Sequence, residues 1–145
     1  MIIIFIIYGF LLFIASVMDI KTRRIPVTIP IFLISVQTGY YGMALYKNTA
    51  RKEEVMAAIL CALIIFGLCY FCMLFGNLGG ADTLILTCIG FQLSFHAFYT
   101  MLFSFVFSLP YCFFLHKQKK PMDYPFVPYI TIAYIMTLLI MQIYL

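Results

Sequence analysis

Six apolar segments, at about 2–18, 28–46, 55–75, 81–95, 97–115 and 126–145, take up nearly all of this 145-residue chain and leave only short polar stretches between them. A bilayer crossing uses roughly 20 mainly apolar residues, so six crossings would use roughly 120 and leave about 25 for connections. Composition agrees. Hydrophobic residues make up 66% of the chain and charged residues 10%, against roughly 45–50% and about 25% in a soluble domain. A water-soluble fold of this length could not hide so much apolar surface. The sequence predicts an all-α, polytopic membrane protein with about six transmembrane helices, in one domain over 1–145. Met1 to Val17 lacks the basic n-region and small-residue cleavage site of a signal peptide, so it is expected to be a retained first helix. The boundary between segments four and five falls near Phe95-His96. Only Gln92, Ser94 and His96 interrupt that stretch, which also suits one long kinked element.

The charges then set a topology. Loops 19–27, 76–80 and 116–125 carry Lys21, Arg23, Arg24, Lys117, Lys119 and Lys120, whereas 47–54 carries Lys47, Arg51 and Lys52. The positive-inside rule places the first set in the cytoplasm of a plasma-membrane protein, with both termini outside. The net charge of +4 is accounted for by these loop residues, as topology signals and contacts to anionic lipid. No nucleic-acid partner is expected. The five cysteines all lie in apolar runs and read as packing residues, and the lone Cys69-x-x-Cys72 has too few companions for a zinc site. No metal or cofactor is expected.

Of the five acids, Glu53 and Glu54 suit the first turn of the third helix, where negative charge is favoured. Asp19, Asp82 and Asp123 all fall on the cytoplasmic side, and ionisable residues at membrane depth are costly and usually functional. Asp19 ends the first helix, and its structural alternative is pairing with Lys21, Arg23 or Arg24. Asp82 enters an apolar helix directly after Gly76-Asn-Leu-Gly-Gly-Ala81, and its alternative is a helix N-cap. Asp123 is expected to pair with Lys119 or Lys120. Two aspartates from different helices at a wet pocket can share one proton, so that one activates water while the other polarises a carbonyl. No serine has a histidine partner set, since His96 and His116 are expected on opposite membrane faces. There is no Gly-x-Ser-x-Gly or His-Glu-x-x-His motif either.

Three stretches, in order, resemble the type IV prepilin peptidases and archaeal preflagellin peptidases, membrane aspartyl proteases of the Gly-x-Gly-Asp type. These are Asp19-Ile-Lys-Thr-Arg-Arg-Ile25-Pro26, Gly79-Gly80-Ala81-Asp82, and Pro125-Phe-Val-Pro128-Tyr129. The resemblance implies a catalytic pair, Asp19 and Asp82. It also implies substrate-binding or site-shaping roles for Gly79, Gly80, Ile25, Pro26, Pro125 and Pro128. The implied partner is a prepilin-like or other leader-bearing membrane peptide, cut after a short basic leader at the cytoplasmic face. The chain departs from the family pattern at Val27, where Asn is common, at Leu84, where Lys is frequent, and at Ala81, where the namesake motif has glycine. Larger bacterial members also methylate the new N-terminus through a cysteine-bearing cytoplasmic insert. The 19–27 loop is too short to hold one, so a peptidase without methyltransferase activity is expected. Two other classes stay open at this point: a small transporter or channel subunit using intramembrane aspartates, and an inactive peptidase-like scaffold. Oligomeric state is not legible.

Overall fold

A computed structural model describes residues 2–75, 78–117 and 125–144. Lys119, Lys120, Pro121 and Asp123, and the pairing expected among them, lie outside the described residues. Among the described residues six α-helices follow one another: α1 (Ile2–Thr22), α2 (Thr28–Tyr46), α3 (Lys52–Phe75), α4 (Gly80–Leu93), α5 (Ala97–Lys117) and α6 (Val127–Tyr144). A 3-10 turn, Ser94–His96, joins α4 to α5. By length and composition three helical runs can cross a membrane, namely Ile3–Thr22, Lys52–Leu74 and the joined Gly80–Phe114, and Val127–Ile143 forms a shorter apolar helix. The fourth and fifth segments thus form one 35-residue apolar run, broken by backbone geometry at Ser94, whose φ of 51° lies in the left-handed region that non-glycine residues seldom occupy. α3 carries Glu53 and Glu54 in its first turn, as the charge pattern suggests.

α1 explains how an almost uniformly apolar helix acquires an inside and an outside. Ile3, Ile6, Phe10, Phe13 and Ile20 are exposed, while Tyr8, Leu12, Ala15, Ser16 and Asp19 are buried. The buried set recurs at spacings of three and four, the spacing of one helix face. An exposed apolar stripe opposite a buried one is the arrangement of a helix that faces lipid on one side and protein on the other. The buried stripe carries the polar atoms, and each finds a partner on another helix or on its own. The Tyr8 hydroxyl donates to the Leu33 carbonyl of α2 at 2.8 Å. Thr100 of α5 donates to Thr137 of α6 at 2.8 Å. Tyr134 of α6 donates to Gln92 Oε1 of α4 at 3.0 Å. Where no water competes, such interhelical bonds each contribute about 0.6–2 kcal/mol.

The helices α3 and α4 approach closely because of one glycine. A Cβ placed on Gly90 would come to 3.0 Å from Ile65 Cδ1 and 3.1 Å from the Ala62 Cα, so small residues set this interface. Gly67, on α3, has nothing within 4 Å of such a Cβ. Gly90→Leu is therefore expected to destabilise the bundle by about 1–3 kcal/mol, and Gly67→Leu to leave it unchanged. Thermal unfolding of the two variants in detergent micelles checks this, and equal melting temperatures would contradict the close approach.

Candidate active site

Asp19 sits in the last turn of α1, and its side chain is 7% exposed. The helix ends at Thr22 because Arg23 turns into the left-handed region, at φ 54°, while the Arg23 N–H still bonds the Asp19 carbonyl at 2.9 Å. Thr22 supports the stop, since its hydroxyl donates to the Met18 carbonyl at 2.9 Å. Lys21, Arg23 and Arg24 are all exposed. The Asp19 carboxylate meets the opposite end of the sequence: the Val127 N–H donates to Asp19 Oδ2 at 3.1 Å.

That contact follows from how α6 begins. Phe126 is the residue before the helix, and its carbonyl accepts from the N–H groups of Tyr129 and Ile130. The N–H of Val127, in the first turn, is one of the orphan donors every helix start leaves. Pro128 has no N–H to orphan, and its φ suits a first turn. Phe126 is buried and its ring packs on Phe105 of α5, with centroids 5.6 Å apart, which fixes where the helix starts. One turn deeper, Ser16 and Thr131 join α1 to α6 through their hydroxyls at 2.7 Å, and Thr131 also bonds the Val127 carbonyl at 3.0 Å. Asp19 and Ser16 on α1 thus match Val127 and Thr131 on α6, two polar rungs at successive turns.

Asp82 approaches from α4. Gly79 is the N-cap in extended backbone, and Asp82 lies in the first helical turn, so the cap is the glycine and not the aspartate. The carboxyl folds back against the Gly79 backbone: a Cβ on Gly79 would lie 2.8 Å from Asp82 Oδ2. No side chain larger than hydrogen leaves that space free. The charge of Asp19 acts on Asp82, which places the two carboxyl groups within electrostatic reach at one end of the bundle. Gly79→Ala is expected to swing the Asp82 carboxyl away and lower peptidase activity several-fold, about one hydrogen bond's worth, with normal membrane abundance. Unchanged activity would remove Gly79 from the site.

The other residues expected at the site take lesser positions. Gly80 is the first residue of α4, with only Met73 Sδ at 3.9 Å from an added Cβ, an ordinary contact. Ile25 packs on the hydrophobic core, and the Pro26 carbonyl accepts the Ile29 N–H at 3.1 Å to start α2. Pro125 and Pro128 are half-buried on either side of the Phe126-Val127 pair that meets Asp19. Cys69, in the C-terminal third of α3, is fully buried. All five cysteines are free thiols. Among the described residues no three His, Cys, Asp or Glu side chains gather as a metal site.

The sequence profile of the type IV leader peptidase family matches residues 6–113, a span that holds both Asp19 and Asp82. The chain belongs to this family. Leader peptidases of this family are aspartic-type peptidases, and the membrane helices described above accord with membership. The matched span ends before Phe126, so the α6 contribution to Asp19 is supplied by a part of the chain beyond it. No curated protein and no solved structure matches the chain.

Proposed function

We propose that this leader peptidase is an aspartyl endopeptidase, a single membrane-embedded domain over 1–145, that removes a short basic leader from prepilin-like substrates at the cytoplasmic membrane face. Asp19 and Asp82 are its catalytic pair. The reading is supported above all by two acids from α1 and α4 lying within electrostatic reach of one another, Asp19 accepting the Val127 N–H and Asp82 lying against the Gly79 backbone. One carboxylate, ionised, takes a proton from water as the water oxygen attacks the scissile carbonyl carbon. The other, protonated, donates to the carbonyl oxygen. Collapse of the tetrahedral intermediate breaks the C–N bond, and the proton first taken from water passes to the leaving amine. The protons belong to the pair, since two like charges at short range do not both ionise readily.

The basic residues Lys21, Arg23 and Arg24 follow Asp19 and meet anionic headgroups, which orients this end toward the cytoplasm. A transporter role would need acids near the bilayer midplane, whereas Asp19 is in the last turn of α1 and Asp82 in the first turn of α4. The short connection between α1 and α2 supports peptidase action without methyl transfer.

The experiment is reconstitution of the purified chain with a peptide carrying a basic leader, a glycine and a hydrophobic helix. Mass spectrometry is expected to show one mature product, cut after the glycine, with the same mass whether or not S-adenosylmethionine is present. No cleavage of any leader-bearing peptide would sink the reading, and a product heavier by one methyl group would sink its second half.

A further inference from the structure

α1 and α6 carry the two halves of the Asp19 contact, the carboxylate and the Val127 N–H. Much of their buried surface is apolar, with Leu12 and Ala15 on α1 and Ile130 and Ala133 on α6. Apolar side chains attract one another in any axial register, and lipid tails offer them contacts of the same kind. The Asp19 contact is less tolerant. A slide of one residue along a helix is about 1.5 Å, enough to take the 3.1 Å bond beyond the usual N–H to O range of about 2.7–3.2 Å. Register at this end of the bundle has to come from polar groups.

Thr131 of α6 is placed to supply it. Its hydroxyl lies 2.7 Å from the Ser16 hydroxyl of α1, 3.3 Å from the Leu12 carbonyl and 3.0 Å from the Val127 carbonyl. Ser16 also donates to the Leu12 carbonyl, at 2.8 Å. Each hydroxyl has one proton to give. Either Thr131 donates to Ser16 and Ser16 to Leu12, or Ser16 donates to Thr131 and Thr131 to Val127, and both arrangements bond α1 to α6. Thr131 follows Val127 by four residues and Ser16 precedes Asp19 by three, so the hydroxyl pair stands one helical turn from the carboxylate contact. Two bonds a turn apart oppose both sliding and rotation, which one bond does not.

The place of α6 itself does not depend on this pair. Thr100 and Thr137, Phe105 and Phe126, and Tyr111 and Tyr129 hold it on α5. Toward its other end α1 is tied to α2 by the Tyr8 hydroxyl on the Leu33 carbonyl. Loss of the Thr131 hydroxyl therefore leaves the bundle assembled and frees the end of α1 that carries Asp19.

We propose that Thr131 is a positioning residue for Asp19, setting the register of α1 on α6 through Ser16 so that the Val127 N–H meets the carboxylate. Thr131 acts through that contact alone. It lies beyond the residues 6–113 that the family profile matches. Its effect on catalysis rests on the peptidase reading, whereas its effect on the Val127 amide does not, and the two are measured separately.

Thr131→Val keeps the branched shape and leaves Ser16 its Leu12 acceptor, so no buried donor is orphaned. Ser16→Ala breaks the same link from the α1 side. Thr100→Val is the control: it removes an interhelical bond of α6 with α5 and leaves Thr137 its Ala133 acceptor. In the full chain labelled with 15N-valine in micelles, the Val127 amide resonance is identified by its absence in Val127→Ala. Thr131→Val and Ser16→Ala are expected to shift it and to speed its hydrogen exchange, while Thr131→Ser and Thr100→Val leave it unchanged. In the cleavage assay the first two should lower kcat about three- to tenfold, the worth of one interhelical hydrogen bond, with KM within twofold. Thr131→Ser should restore the rate, and Thr100→Val should cleave as the wild type does even where its melting temperature falls. Thr131→Val should add nothing in the Val127→Pro background, since residues acting through one contact are not additive. An unmoved Val127 amide in folded Thr131→Val or Ser16→Ala protein would overturn the proposal, and so would a moved amide with wild-type cleavage. Absence of cleavage by the wild-type protein would sink the peptidase reading instead, and the Val127 amide would still decide whether Thr131 sets the register.

Discussion

Asp19→Asn and Asp82→Asn are each expected to lower leader cleavage roughly 10²- to 10⁴-fold, the range lost when a general acid or base is removed. Asparagine is the informative replacement because it separates chemistry from architecture. Its side-chain oxygen can still accept the Val127 N–H that now reaches Asp19 Oδ2, and at position 82 it fits the space Gly79 leaves beside the carboxyl. Both variants should therefore reach the membrane in normal amount. What they lose is the ability to exchange a proton with water or the carbonyl. The double variant should be no worse than either single one, because residues that act as a unit are not additive. Cleavage of a prepilin-like substrate in membranes, normalised to the amount of peptidase, measures the effect. Unchanged cleavage in either single variant would exclude the pair.

The helices were legible in the sequence because length and apolarity alone predict them, and the observed starts and ends fall within a few residues of the apolar runs. Their inward faces were not. In α1 apolar residues occupy both the exposed stripe of Ile3, Ile6, Phe10 and Phe13 and the buried stripe of Tyr8, Leu12 and Ala15. A helix apolar all round gives no amphipathic signal to orient it. The one usable cue was polar spacing: Ser16 and Asp19 are three apart and share a face.

The aspartates themselves stood out because so few acids interrupt the chain, and the glycine break marked the entry to α4. The mechanism at Gly79 was not evident from that break. Glycine there suggests backbone freedom, yet its φ is an ordinary −72° and what it provides is room for a carboxyl three residues on. The meeting of Asp19 with Val127 spans 108 positions and depends on helix packing that no local pattern encodes. Nor could composition reveal that Gln37 of α2 and Gln92 of α4 border one cavity.

That long-range contact leads to the second large effect. Val127→Pro is expected to cut cleavage roughly ten- to a hundredfold, since a hydrogen bond to a charged group contributes about 1.5–3 kcal/mol and each 1.4 kcal/mol is tenfold in rate. Proline removes the one group Val127 gives to Asp19, its N–H. The helix should tolerate the change, because the first helical position is where proline is most at home and no intrahelical bond there needs the donor. Phe126, which would then precede proline, lies outside the helix, where the restriction that proline puts on its predecessor breaks no helical bond. The Ser16–Thr131 rung one turn deeper continues to hold α1 against α6, so the substitution perturbs the carboxyl without separating the helices. Val127→Ala keeps the amide and trims only the side chain, so it should retain near wild-type cleavage and serves as the control for packing at this buried position. Because Val127 acts through Asp19, Val127→Pro should add nothing further in the Asp19→Asn background. If Val127→Pro cleaves as well as Val127→Ala, the α6 amide plays no part in positioning Asp19, and the role of the last helix is confined to packing. If both variants fail alike, the buried side chain and not the N–H is what the site requires.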